Sequence, residues 1–248
     1  MNRVLLITGG SRGIGAAAAV LAAARGWDVA VNYTRDAAAA EAVAERVRAE
    51  GRRAITVCAD VSHEAAVLAM FRAVDEGLGP LGGLVNNAGV VDMASRVDQM
   101  SAARLQRMFA INVIGSMLCA REAVRRMSTL HGGLGGPIVN LSSAAARLGA
   151  PGQYVDYAAA KGAIDTFTIG LAREVAAEGV RVNAVRPGII ETEIHASGGE
   201  PDRAAKLAPQ VPMQRAGSAD EVAAAIVWLL STEASYCTGT FIDVTGGR

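Results

Sequence analysis

Short apolar runs alternate with longer amphipathic stretches along the chain, and this alternation restricts the possible folds more than any other feature. An apolar run of about four to eight residues suits a strand buried on both faces, and a longer stretch with a period near 3.6 suits a covering helix. The pattern predicts strands near Val4–Thr8, Asp28–Tyr33, Ala54–Ala59, Leu84–Asn87, Ile138–Leu141, Arg181–Val185 and Thr240–Val244. Helices are expected near Ile14–Arg25, Ala37–Glu50, Glu64–Glu76, Ala102–Met127, Asp156–Glu178 and Ala219–Ser231. The class is α/β, with a doubly wound parallel sheet covered on both faces. At 248 residues and 51% apolar content, one large domain is expected. Ser62 and Ser218 read as helix N-caps, and Gly26, Gly51 and Gly179 as helix stops. Two stretches escape the alternation: a glycine-rich connection at 128–137 and a long loop at 191–217, which is expected to act as a flap over a substrate.

Charge narrows the partners. Acidic and basic residues number 24 each, so no net charge draws in nucleic acid or an anionic membrane, and small-molecule chemistry is favoured. The apolar start of the chain is interrupted by Gly9-Gly10-Ser11-Arg12, unlike a secretory signal. The stretch 127–146 lacks formal charge but is broken by glycines, Pro137 and Asn140, so no membrane span is expected and a cytoplasmic location follows. Cys58, Cys119 and Cys237 read as buried small hydrophobes, and Trp228 as core. His63, His131 and His195 are too scattered for a metal site, although His195, in the proposed flap, is a candidate substrate contact.

The first strand runs directly into a glycine-rich turn and an alanine-rich helix, "VLLITGGSRGIGAAAAVLAAARG". Gly9, Gly13 and Gly15 allow unusual backbone angles and let the main chain approach a pyrophosphate at the helix N-terminus, with Ser11, Arg12 and Ile14 between them. At the end of the second strand, where an acid would bind the ribose of NAD, the chain reads Asn32-Tyr33-Thr34-Arg35. Arg35 and Arg12 offer guanidinium forks to a 2′-phosphate instead, so NADP is favoured over NAD. Asp36 stands against this, but its place before an alanine-rich run suits a helix N-cap. Further on, Tyr157 and Lys161 lie four residues apart and share a helix face, while Tyr154 lies about two turns from the lysine.

With these pieces in order, the chain resembles the short-chain dehydrogenase/reductase family from end to end. The matching segments are "TGGSRGIG" at Thr8–Gly15, "CADV" at Cys58–Val61, "NNAG" at Asn86–Gly89, Asn112 in "FAINV", "IVNLSS" at Ile138–Ser143, "YAAAK" at Tyr157–Lys161 and "RPGIIET" at Arg186–Thr192. The resemblance implies a Rossmann-like sheet of seven parallel strands and hydride transfer between NAD(P) and a carbonyl or alcohol. It implies a catalytic set of Asn112, Ser143, Tyr157 and Lys161. Asp60 and Val61 would flank the adenine and Asn87, Ala88 and Gly89 its ribose. Pro187, Gly188, Ile189 and Thr192 would meet the nicotinamide end, and Lys161 its ribose. The Ser143–Tyr157 separation is one residue longer than the family's, which keeps Ser142 as an alternative. A homotetramer or homodimer is expected from the resemblance alone.

Carbonyl reduction places negative charge on oxygen as hydride arrives, so a proton donor must be aimed there. Tyrosine can serve, and a lysine one turn away would favour its ionised form by roughly 3 kcal/mol at an effective dielectric near 20, or about two pKa units. Tyr157 meets that spacing and Tyr154 does not. The chain resembles both 3-oxoacyl-acyl-carrier-protein reductases and glucose or other sugar dehydrogenases. A non-catalytic NADP-binding scaffold is the competing reading, opposed by the intact proton-transfer group.

Overall fold

A computed structural model describes residues 3–194 and 198–248; His195 lies outside the described residues. Seven strands form one all-parallel sheet in the order β3-β2-β1-β4-β5-β6-β7. They are β1 (Val4–Ile7), β2 (Asp28–Tyr33), β3 (Ala54–Cys58), β4 (Leu81–Asn86), β5 (Gly136–Leu141), β6 (Val180–Pro187) and β7 (Phe241–Val244). Strand side chains alternate between faces. Leu5, Ile7, Val29, Val31 and Val139 join one core with α1 (Gly13–Ala24), α2 (Ala37–Ala49) and the helix Ala219–Leu230. Val4, Leu6, Ala30, Leu84 and Ile138 join the other with α3 (Glu64–Gly77), α5 (Ser116–Met127) and α7 (Val155–Val175). The alanines of α1 bring that helix close to the sheet and to Ala219–Leu230. The chain winds outward from β1 to β3, then returns to place β4 beside β1. Ligands of such sheets bind at the strand C-termini where the order reverses.

The strands follow the expected pattern within a few residues. Asp36 caps α2 by accepting from Ala39 N–H at 2.9 Å, and Ser218 forms a capping box with Glu221. Gly26, Gly51 and Gly179 end helices at φ of 90°, 74° and 76°.

Other expectations are corrected. Ser62 is no cap: α3 starts after His63, and the Ser62 hydroxyl donates to Asp60 at 2.7 Å. The helix expected to run unbroken over 102–127 divides into α4 (Ala102–Phe109), a wide π-helical turn at Ala110–Gly115, and α5. Trp228 is 38% exposed, because it lies on the outer side of a helix that already buries Val227, Leu229 and Leu230. Cys58 is exposed at the end of β3; only Cys119 is fully buried, its thiol pushed up to about 12 by that burial. The loop at 191–217 contains a short helix, Arg203–Leu207, and its ends are tied by a parallel bridge between Ile190 and Gly217. Among the described residues no helix is long and apolar enough to cross a membrane.

Candidate active site

Beyond the end of β1, Thr8 and two asparagines hold the glycine turn in place. Thr8 Oγ1 accepts from the N–H groups of Asn87 and Ala88, both at 3.0 Å, and Asn87 Nδ2 donates to the carbonyls of Thr8 and Gly9 at 2.9 Å. Asn32 accepts from Gly9 N–H at 3.1 Å and donates to the carbonyls of Val57 and Ala59. The side chains of Asn32 and Asn87 thus engage the framework, binding the turn to the neighbouring strands. Gly9 has φ +61°, and a Cβ on Gly15 would lie 2.5 Å from Asn87 Nδ2. Neither position admits a larger residue without movement of the turn. The first N–H groups of α1 have no intrahelical acceptor and no side-chain cap, which leaves a positive helix end over the groove beside them.

That groove, about 650 Å³, runs from the glycine turn across the switch point. Ser11, Arg12, Gly13 and Ile14 line it together with Tyr33, Thr34 and Arg35, with Asp60 and Val61, and with Asn87, Ala88 and Gly89. Thr34 and Arg35 are exposed at its rim. Burial opposes ionisation of Asp60, but hydrogen bonds from the Ser62 hydroxyl and N–H outweigh it and hold the carboxyl below its ordinary range. Thr192 leans over Gly13 from the opposite bank: a Cβ there would lie 3.4 Å from its side chain. These residues fit a dinucleotide, with glycine wherever backbone must approach and a helix N-terminus for phosphate.

A smaller cleft of about 210 Å³ opens from the same junction, sharing Ile14, Asn87, Gly89, Thr192 and Ile194 with the groove. Ser143, Tyr157 and Lys161 line it with Pro187, Gly188 and Ile189, and aliphatic Leu141, Leu148 and Ile190 cover much of the rest. The Tyr157 and Ser143 side chains face the same cleft, and Ser143 Oγ accepts from the Ala145 N–H at 3.1 Å. Ser142, the alternative, donates to the carbonyl of Lys161 at 3.3 Å. Between Ser143 and Tyr157 the chain forms α6 (Ala145–Leu148) and then a tight connection in which Gly149, Ala150 and Gly152 all take positive φ.

Lys161 is only 5% exposed and donates to the Leu141 carbonyl at 2.6 Å. A Cβ on Gly89 would lie 3.7 Å from its Nζ, so the ammonium stands where groove and cleft meet. The expected lowering of the Tyr157 pKa is corrected here. Burial pushes Tyr157 up to about 12, and the neighbouring Ser143 hydroxyl offsets this only in part. Burial also drives Lys161 down to about 8, against the attraction of Asp165. Desolvation of both groups exceeds any help the cation gives the phenol.

Asn112 sits fully buried on the π-helical turn. Its Oδ1 accepts from Val90 N–H at 3.0 Å, and its Nδ2 donates to the carbonyls of Val90 and Met108 at 3.0 Å. It therefore clamps the segment after β4 rather than reaching the lysine directly.

Some lining residues were missed from the sequence. These are Arg107 and Asp92, 3.7 Å apart in the groove, and Gln153 in the cleft, where Tyr154 and Arg203 stand beside it. The Arg203 guanidinium lies 5.0 Å from the Tyr154 ring centre, and the Tyr154 hydroxyl meets Glu200 at 3.3 Å. Tyr154 was dismissed on its distance from Lys161 along the helix, yet it lies before the first turn of α7, at the cleft wall. Arg107 carries the same charge as its solvent-facing neighbours and gives no signal in one sequence.

A family profile described as "Enoyl-(Acyl carrier protein) reductase" matches residues 9–248. The chain is 56% identical over 245 residues to the oxidoreductase YgfF of Escherichia coli (strain K12), covering 99% of each chain. It is 36% identical over 246 residues to glucose 1-dehydrogenase 2 of Bacillus subtilis (strain 168), covering 99% of this chain and 94% of that one. A Burkholderia cenocepacia short-chain dehydrogenase crystallised in complex with NADP superposes with a TM-score of 0.89 at 34% identity, covering 99% of this chain and 97% of the other. Identity of this extent over nearly the whole length, on a retained seven-stranded parallel sheet, places the chain in the short-chain dehydrogenase/reductase family of NAD(P)-dependent oxidoreductases.

Proposed function

We propose that the protein uses NADP to interconvert a carbonyl and a secondary alcohol, with Tyr157 giving or taking the proton. The meeting of Ser143, Tyr157 and Lys161 where a nucleotide-sized groove joins a small cleft carries this reading. When bound, the nicotinamide supplies or accepts the hydride. The chain must hold the substrate oxygen and manage its proton. The hydroxyls of Ser143 and Tyr157 form a two-donor seat for an oxygen that gains charge, and one such donor is typically worth about 3–4 kcal/mol in the transition state. With its pKa near 12, Tyr157 is protonated at neutral pH, the form that reduction requires. Alcohol oxidation needs the phenolate, and a protonated Lys161 one turn away limits its cost. Lys161, fixed by the Leu141 carbonyl beside Gly89, serves the nicotinamide ribose, and Thr192 and Pro187–Ile189 hold the nicotinamide end. Asn112 supports this arrangement from behind.

NADP is preferred over NAD on two grounds. Arg35 stands exposed at the rim of a groove that Arg12 also lines, and Asp36, its neighbour in the chain, accepts a capping bond from Ala39. The NADP complex of the Burkholderia relative is in keeping with this. The loop at 191–217 acts as the flap, hinged at the Ile190–Gly217 bridge. A cytoplasmic homotetramer completes the proposal.

The test follows nicotinamide absorbance with ketones, sugars and acyl thioesters, using both nucleotides. NADPH is expected to support turnover with at least one carbonyl. Tyr157→Phe should lower kcat about 10²–10⁴-fold with NADP affinity near normal, and Tyr154→Phe should be mild. Full turnover by Tyr157→Phe would overturn the assignment.

A further inference from the structure

Of the 24 basic residues only two are lysines, Lys161 and the exposed Lys206; the rest are arginine. Among the described residues the Lys161 ammonium has one hydrogen-bond acceptor, the Leu141 carbonyl, and a buried ammonium so placed is costly and tends to lose its proton. The charged groups around Lys161 are therefore decisive. On its own helix stand Tyr157 and, one turn further on, Asp165. β5 presents the Leu141 carbonyl and the π-helical turn presents the neutral Asn112. β6 presents Arg186, which reaches Asp165 rather than the lysine.

Asp165 is set in an alternating line of charges. Arg147 Nη1 meets Asp243 Oδ2 at 2.5 Å, and Asp243 Oδ1 lies 3.6 Å from Arg186. Arg186 donates to Asp165 Oδ2 through Nε at 3.0 Å and contacts it through Nη2 at 2.9 Å, its guanidinium 3.9 Å from the Phe241 ring centre. Arg186 divides its charge between two carboxylates, and Asp165 Oδ1 is buried with no hydrogen bond among the described residues. Asp165 and Lys161, four residues apart, share one side of α7.

We propose that Asp165, oriented by Arg186, is the counter-charge that keeps Lys161 protonated in the closed interior. This goes beyond the catalytic reading of Lys161 and relies on it only for the consequence in turnover. The direction of the Lys161 shift agrees: desolvation lowers its pKa and Asp165 raises it. Asp165 is thus a positioning residue, acting through the lysine.

With ¹³C-labelled lysine the cofactor-free protein gives one side-chain signal from each of its two lysines, Lys206 serving as the exposed reference. In Asp165→Asn the titration midpoint of Lys161 should fall by about one pH unit or more. The alkaline limb of kcat/KM for reduction should move down with it, while kcat on the acid side stays near wild type. Asp165→Glu should restore most of the shift. Asp243→Asn, at the more open end of the line, should fold if the first variant does not, and should give a smaller fall. An unchanged Lys161 midpoint in either asparagine variant that folds would overturn the proposal. A midpoint that falls while the activity limb stays would uphold the pairing and refute instead the catalytic reading of Lys161.

Discussion

Lys161, at the heart of the proposed site, opposes the stability of the fold that buries it. Its pKa of about 8 in the folded chain lies below the ordinary value near 10.4 for an exposed lysine. Between those values the unfolded chain holds the extra proton, so this residue makes stability rise with pH through that window, by about 3 kcal/mol at most. Below about pH 8 the full cost is present. Lys161→Met should remove the dependence: urea unfolding near pH 7.5 and pH 10 should show wild type gaining on the variant as pH rises, while the variant loses turnover. Parallel curves would mean that the ammonium is better solvated than its 5% exposure suggests. Helical spacing alone made the Tyr157–Lys161 pair legible in the sequence. The sign of the Tyr157 shift was not legible, because it depends on how deeply β4, β5 and the turn after β6 enclose the hydroxyl, and those segments lie far away in sequence.

At the scale of elements, the π-helical turn at Ala110–Gly115 accounts for the most consequential misreading. Nothing in "MFAINVIGSM" departs from helical periodicity, so one unbroken helix was the natural expectation. The wide turn belongs with Asn112, whose amide pairs with both backbone groups of Val90, a contact fixed only once β4 is in place. Gly89 follows the same logic, since a Cβ there would lie 2.7 Å from Asn112 Oδ1. Asn112→Ala would leave two backbone groups of Val90 without this partner in a partly buried site, at a cost of about 3 kcal/mol. For a chain of this size that corresponds to a fall of roughly 6–12 °C in Tm, readable by calorimetry. A smaller change would show that the turn is held by its neighbours instead. The glycine turn, by contrast, could be read directly, because its needs are local: a strand end, a helix start and positions where side chains do not fit.

For the molecule as a whole, the doubly wound topology was legible because buried parallel strands and their covering helices leave opposite periodicities in the chain. What the periodicities could not show is which covering faces remain uncovered. Leu105, Phe109, Ile114 and Met117 on α4, the π-helical turn and α5, with Ile169 on α7, all stay at least one-third exposed. An apolar surface spread over neighbouring helices marks an interaction site more often than a solvent face. Pairing this face with its equivalent on a second copy would be isologous, as in most soluble homo-oligomers. Light scattering of the wild-type protein should therefore give a mass that is a multiple of the 25.4 kDa chain. Phe109→Glu with Ile114→Glu should lower it, because two carboxylates facing their own copies across a two-fold axis would be buried without partners. Both side chains are substantially solvent-exposed in the single chain, so the fold should survive and circular dichroism should match wild type. A wild-type protein that elutes and scatters as a monomer would rule out assembly through this face and leave its apolar surface to another partner.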